Sequence, residues 1–253
     1  LYTSIIFPRG DKSLQTICLT SACPSEGKTL VNVLLSKVLS DMGQRVLLVD
    51  ADLRNPKIHT LLKLNNTNGL SNLLDEDVQH WQEVMISVSD NDTFNLITAG
   101  HNTSDPSRLL TSLRFEELVH QLSNCGLFDL ILFDTPPILG LADTVFISEH
   151  CDGLMLLASL DFVDRSLPVA AVSRILANGS TLLGVVTNAV KPDTHEIANS
   201  LGYRYFESIS PCNDERMSKT TYSADVQNDL KPSGWFSTAS TRFREFLRWI
   251  DTR

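Results

Sequence analysis

The sequence predicts an α/β fold: a doubly wound, mostly parallel sheet flanked by helices. Short runs rich in Val, Ile and Leu recur between longer amphipathic segments, and those runs are almost uniformly apolar rather than alternating. A strand that never alternates toward water is covered on both faces, as in a parallel sheet between two helical layers. At 253 residues and 42% hydrophobic content, the chain also has enough apolar mass for one large core.

The strand-like runs are residues 15–20, 45–50, 94–98, 128–134, 153–159 and 182–187. Helices are expected over 28–42, 106–122, 143–150 and 164–178. Asp105 before Pro106 supplies a cap and a first-turn proline, and Gly43 and Gly179 stand where helices should stop. Past residue 190 the regular pattern fades. Residues 208–234 turn polar and carry Pro211 and Pro232, which reads as a linker or mobile tail after a main domain at 1–207. Phe243, Phe246, Leu247 and Ile250 fall at helical spacing with arginines between them, so 235–253 reads as an amphipathic helix. Such a helix docks on its own domain or meets a partner or a membrane surface.

The 21 basic residues against 30 acidic ones give a formal charge of −9, which argues against a general footprint for nucleic acid or anionic lipid. Cys18, Cys23, Cys125, Cys151 and Cys212 are scattered without a CxxC pair, so neither a disulfide framework nor a zinc site is expected. A reducing, cytoplasmic setting fits. Asp129, Asp134, Asp143 and Asp152 interrupt the most apolar region, leaving no run of about 18 apolar residues, and no secretory signal opens the chain. The chain is therefore expected to be soluble. Its start at Leu1, without methionine, suggests that an upstream portion has been removed.

After the first strand comes Ser21-Ala22-Cys23-Pro24-Ser25-Glu26-Gly27-Lys28-Thr29, which fits G-x-x-x-x-G-K-[ST] with alanine at the first glycine position. In such a P-loop, backbone N–H groups and the following helix N-terminus point at phosphates. Lys28 would neutralise the terminal oxygens, and Thr29 would place a hydroxyl on magnesium. Asp50 and Asp52 follow one apolar strand, and Asp134 ends another. Doubly wound sheets bind ligands at those ends, and a carboxylate there is costly unless it meets a cation. The three together point to one shared magnesium site, although each could instead cap the helix that follows. Asp50 is also open to a role in orienting or deprotonating an attacking hydroxyl. Arg54 could hold phosphate charge or pair with a neighbouring acid, and Asp143 reads as a helix cap. The run Asp75-Glu76-Asp77 is expected to be a solvated turn, and the six histidines show no ligand spacing.

Three motifs in order carry a resemblance. The segments TSACPSEGKT (20–29), VLLVDADLRNP (46–56) and FDLILFDTPP (128–137) resemble the Walker A, A′ and B motifs of bacterial tyrosine kinases, a family of deviant-Walker P-loop NTPases coupled to capsule and exopolysaccharide synthesis. Gly69-Leu70-Ser71 and LITAGHNTSDPSRLL (96–110) are similar to its connecting segments, so the likeness spans about 1–190. It implies ATP and Mg2+ as cofactors and Lys28, Asp50 and Asp52 as catalytic positions. Nucleotide would lie on residues 21–29 and metal on Thr29, Asp52 and Asp134. Asn188 matches a strand-end asparagine that contacts adenine in related ATPases, and it reads equally as a turn residue.

The related partitioning and septum-positioning ATPases carry an extra lysine early in the loop, where this chain has Cys23. The resemblance further implies partners: other copies of the chain in a homo-oligomer such as a ring, and a membrane-anchored chain-length regulator, present as an upstream segment or a separate subunit. The domain would then sit at the inner face of the bacterial membrane. Leu1-Tyr2-Thr3-Ser4-Ile5 is similar to the end of the family's ring-assembly helix, whose glutamate and arginine part is missing. Such kinases phosphorylate a tyrosine-rich C-terminal cluster on a neighbouring subunit. Here the tail offers Tyr203, Tyr205 and Tyr222 as candidate phosphoacceptors. Tyr203 and Tyr205, two apart in a strand, would share a face and could instead pack. The expected function is an ATP-dependent tyrosine autokinase regulating polysaccharide synthesis and export. An ATPase switch without tyrosine chemistry and a catalytically silent ATP-binding module are the alternatives.

Overall fold

The computed structural model describes residues 14–89, 92–159 and 163–188. Seven strands form one sheet in the order β3-β4-β2-β5-β1-β6-β7. They are β1 (Thr16–Ser21), β2 (Val46–Asp50), β3 (Met85–Ser87), β4 (Phe94–Ile97), β5 (Leu130–Asp134), β6 (Gly153–Ser159) and β7 (Leu182–Asn188). All neighbouring pairs are parallel except β3 with β4. Strands β1, β2, β4, β5 and β6 are buried along their whole length, which explains their unbroken apolar character. The edge strand β3 went unforeseen: Met85-Ile86-Ser87 is too short to show a period, and it is half-exposed because one side of an edge strand meets no neighbour.

The helices are α1 (Lys28–Asp41), α2 (Ile58–Leu61), α3 (Leu70–Leu74), α4 (Pro106–Leu110), α5 (Leu113–Asn124), α6 (Asp143–Glu149) and α7 (Ser166–Ala177). The single helix expected over 106–122 is two. Asp105 caps α4 by accepting from Arg108 N–H, and Ser112 begins α5 by accepting from Phe115 N–H. A serine cap inside the apolar period outcompetes helix continuation because its side chain satisfies an N–H that would otherwise be orphaned. The restart lets Phe115 reach the core, where it stands edge-on to Phe133 at a centroid distance of 6.2 Å.

The strand order creates the position for a site. From β1 the chain crosses to β2 on one side, whereas from β5 it crosses to β6 on the other. Adjacent strands whose connections diverge leave a crevice beyond their carboxyl ends. The segment after β5 is fastened there: Thr135 Oγ1 donates to the Leu19 carbonyl at 3.0 Å, and Thr20 Oγ1 and Thr144 Oγ1 donate to the Pro136 carbonyl at 2.7 and 2.6 Å.

The chain divides into two units, Leu1–Val190 and Lys191–Arg253. The elements above belong to the first. The expected linker at 208–234 and helix at 235–253 lie outside the described residues, as does the segment before residue 14. Among the described residues no helix is long and apolar enough to cross a membrane.

Candidate functional site

The loop between β1 and α1 bends at two residues in the left-handed region, Ser25 (φ 70°) and Gly27 (φ 93°). Gly27 is required twice over: its φ favours glycine, and a Cβ there would lie 2.7 Å from Asn188 Nδ2. The loop is braced by Ser21 Oγ donating to the Cys23 carbonyl at 2.7 Å and by Glu26, whose carboxylate accepts from the Cys23 N–H at 2.7 Å. Burial, then the nearby Glu26 carboxylate, pushes the Cys23 thiol above its usual range.

Helix α1 carries Lys28, Asn32, Ser36 and Ser40 at four-residue spacing, and all four are buried. The first two meet the sheet's acids. Lys28 Nζ donates to Asp134 Oδ1 at 3.0 Å and lies 3.7 Å from Asp52 Oδ2, while Asn32 Nδ2 donates to the same Asp134 Oδ1 at 2.8 Å. Lys28 Nζ is also 3.4 Å from Thr29 Oγ1. Asp50 and Asp134 are register partners at the ends of β2 and β5. The strand-end carboxylates expected to matter are thus brought together around one ammonium.

The three acids do not form a common cage, however. Asp50 Oδ2 accepts from the Ile58 N–H at 3.2 Å and Asp52 Oδ1 from the Asn55 N–H at 3.1 Å, so backbone donors of the 51–58 segment engage one oxygen of each. Among the described residues no group of three His, Cys, Asp or Glu could hold a metal ion by itself. What remains is a charge deficit: Lys28 pairs with Asp52 and Asp134 and feels the charge of Asp50, and among the described residues the buried atoms Asp50 Oδ1 and Asp134 Oδ2 have no hydrogen-bond partner. Burial, then Asp134, pushes the Asp50 carboxyl well above the usual carboxylate range. Burial also raises Asp52, with Lys28 pulling it back in part. For Lys28, burial acts to lower the pKa, but Asp134 and then Asp52 outweigh it and leave the ammonium strengthened. Unpartnered hard oxygens in an over-acidic pocket fit a magnesium ion that keeps waters and phosphate oxygens among its ligands.

Of the two readings of Arg54, the structure takes the pairing with an acid. Arg54 Nε donates to Asp143 Oδ2 at 2.6 Å and its Nη2 to Ser107 Oγ at 2.9 Å, while Ser107 Oγ donates to Asp143 Oδ1 at 2.8 Å. Asp143 is the first residue of α6 and 1% exposed. It is not the expected cap, since the N-cap is Ala142 without a side-chain cap bond; its carboxylate instead ties the segment after Asp52 to α4 and α6. Asn188 closes on the loop, donating from Nδ2 to the Glu26 carbonyl at 2.9 Å. Sequence reasoning missed Asn32, whose place four residues after Lys28 on a helix facing Asp134 was the available signal. It also missed the side-chain role of Glu26, which no spacing rule reveals. Tyr203, Tyr205 and Tyr222 lie outside the described residues.

Residues 14–155 match a family model described as an AAA domain. The chain is 34% identical over 193 residues to Tyrosine-protein kinase YwqD of Bacillus subtilis, covering 76% of this chain and 80% of that protein. It is also 34% identical over 193 residues to Tyrosine-protein kinase wzc of Salmonella typhimurium, covering 75% of this chain but 26% of that much longer relative. Among solved structures it is similar to the kinase domain of the Escherichia coli tyrosine kinase ETK, with a TM-score of 0.70, 27% identity and coverage of 76% of this chain and 74% of that one.

Proposed function

Because the chain belongs to the bacterial tyrosine-kinase family, we propose that it binds ATP with magnesium and phosphorylates C-terminal tyrosines on a neighbouring copy. The observation that carries this reading is the buried Lys28 ammonium set among Asp50, Asp52 and Asp134 at the sheet's switch point, beside a loop that bends through Ser25 and Gly27. The 21–29 loop holds the nucleotide phosphates, chiefly through the backbone N–H groups of residues 25–29, with Lys28 neutralising the terminal oxygens. Thr29, Asp52 and Asp134 hold magnesium, which supplies charge neutralisation at the phosphates when bound. Asp50 accepts the proton of the incoming tyrosine hydroxyl; burial and then the neighbouring Asp134 raise its pKa, which makes it a stronger base than an ordinary carboxylate. The phenolic oxygen forms a bond to the γ-phosphorus as the bond to the β-phosphate bridge breaks, releasing ADP.

The acceptors are Tyr203, Tyr205 and Tyr222, reached between chains in a homo-oligomer. Asn188 stands ready for the adenine through its remaining amide oxygen. Added phosphate places negative charge near the subunit contact and loosens the assembly, a cycle suited to regulating capsule and exopolysaccharide synthesis and export. The domain works at the cytoplasmic face of the membrane, anchored through an upstream segment or a chain-length-regulator subunit. The main domain is taken as 1–207, with 208–234 a linker and 235–253 a helix.

Incubating the chain with ATP and magnesium and mapping phosphotyrosine by mass spectrometry tests this, with Lys28→Met as the control. Labelling lost in the control supports the kinase. Hydrolysis without labelling assigns the chain as an ATPase switch, and ATP bound but never consumed assigns it as a silent module.

A further inference from the structure

A loop that binds phosphates carries within it a buried acid that no step above uses. Glu26 is 2% exposed. Its Oε1 accepts from the Cys23 N–H at 2.7 Å, its Oε2 from the Ser159 N–H at 2.9 Å, and its carbonyl from Asn188 Nδ2 at 2.9 Å. Ser159 and Asn188 are register partners on β6 and β7. The side chain and main chain of Glu26 are therefore fastened to the same strand-end pair, while Lys28, two residues on, reaches across to Asp134 on β5.

Charge alone does not account for this residue, since a carboxylate beside bound phosphates opposes them. Loop shape does. Pro24 has no N–H, and the Cys23 N–H is taken by Glu26. That leaves the N–H groups of residues 25–29, none of which donates to a backbone or side-chain acceptor among the described residues, as the phosphate donors. Ser25 at positive φ is strained and persists only where the surrounding structure imposes the bend, and the three bonds of the adjacent Glu26 brace it.

We propose that Glu26 is a positioning residue, an internal anion that fixes the bend of the phosphate loop against β6 and β7 and so sets nucleotide affinity. The proposal rests on the ATP-binding reading above. Titration calorimetry of the full chain with ADP and magnesium tests it, comparing wild type, Glu26→Gln and Glu26→Ala, with a thermal melt of each. Glu26→Gln keeps the volume but turns an NH2 toward one of the two N–H donors. The expected result is a Kd weakened roughly tenfold, the loss of one charge-assisted hydrogen bond. Glu26→Ala weakens it further. In kinase assays KM for ATP rises while kcat at saturation stays within about twofold, as for a lost ground-state contact. Should Glu26→Ala fail to fold, the isosteric Glu26→Gln decides. Unchanged or tighter binding in Glu26→Gln would overturn the proposal, because charge rather than shape would then govern the loop. A lowered melting temperature with wild-type Kd would overturn it too, leaving Glu26 a purely structural brace. Wild type that binds no ADP would sink the underlying reading as well, and so separates that failure from this one.

Discussion

At the scale of single residues, the site trades stability for chemistry. Asp50 holds its proton more tightly in the folded chain than unfolded, through burial and then Asp134. The sign follows from linkage: stability is fullest below the ordinary carboxylate range near about pH 4 and falls as pH rises through the raised folded value. Asp50→Asn removes that penalty and keeps an acceptor for the Ile58 N–H. Chemical denaturation at pH 8 should show the nucleotide-free variant more stable than wild type, and the difference should vanish at acid pH. Its tyrosine phosphorylation should fall at least about 100-fold, the usual contribution of a general base. Lys28→Met acts in the opposite direction. Removing the ammonium strands three carboxylates and should destabilise the apo chain by about 3 kcal/mol at neutral pH. The loss shrinks as pH drops and the carboxylates take up protons, so this control needs a melt beside its activity assay.

Elements show where the sequence was legible. The runs read as 45–50 and 128–134 form strands at 46–50 and 130–134; they were legible because a strand buried on both faces is almost uniformly apolar up to the aspartate that ends it. The motif residues were readable because their spacing is chemical: Lys28, Asp50, Asp52 and Asp134 meet in space. Contacts made by tertiary structure alone left no such trace. Arg54 and Asp143 are far apart in sequence, and only the crossing of α4 and α6 beside the 51–58 segment pairs them. The break between α4 and α5 hid because Ser112 sits inside a continuing apolar period. Ser112→Ala should cost about 1 kcal/mol in thermal or urea unfolding, typical of a lost N-cap, with kinase activity unchanged. Gly27→Ala joins strain at φ 93° to a collision with Asn188, and should abolish ADP binding in calorimetry while leaving the sheet's circular dichroism intact.

For the whole molecule, a pocket with more acid than base among the described residues would be relieved by a bound cation. ADP with magnesium at a hundredfold excess over Kd should therefore add about 2.7 kcal/mol to the unfolding free energy and raise the melting temperature accordingly. Magnesium-free ADP should do much less. If transfer occurs between chains, the initial phosphorylation rate per chain should climb with protein concentration; a constant rate would place acceptor and donor on the same chain. The central claim is that Lys28 and its carboxylates move phosphate onto tyrosine, and the most direct test is phosphotyrosine mapping of the chain after incubation with ATP and magnesium. Label is expected at one or more of Tyr203, Tyr205 and Tyr222 in wild type and none in folded Lys28→Met. ATP consumed with no phosphotyrosine anywhere on the chain would contradict it.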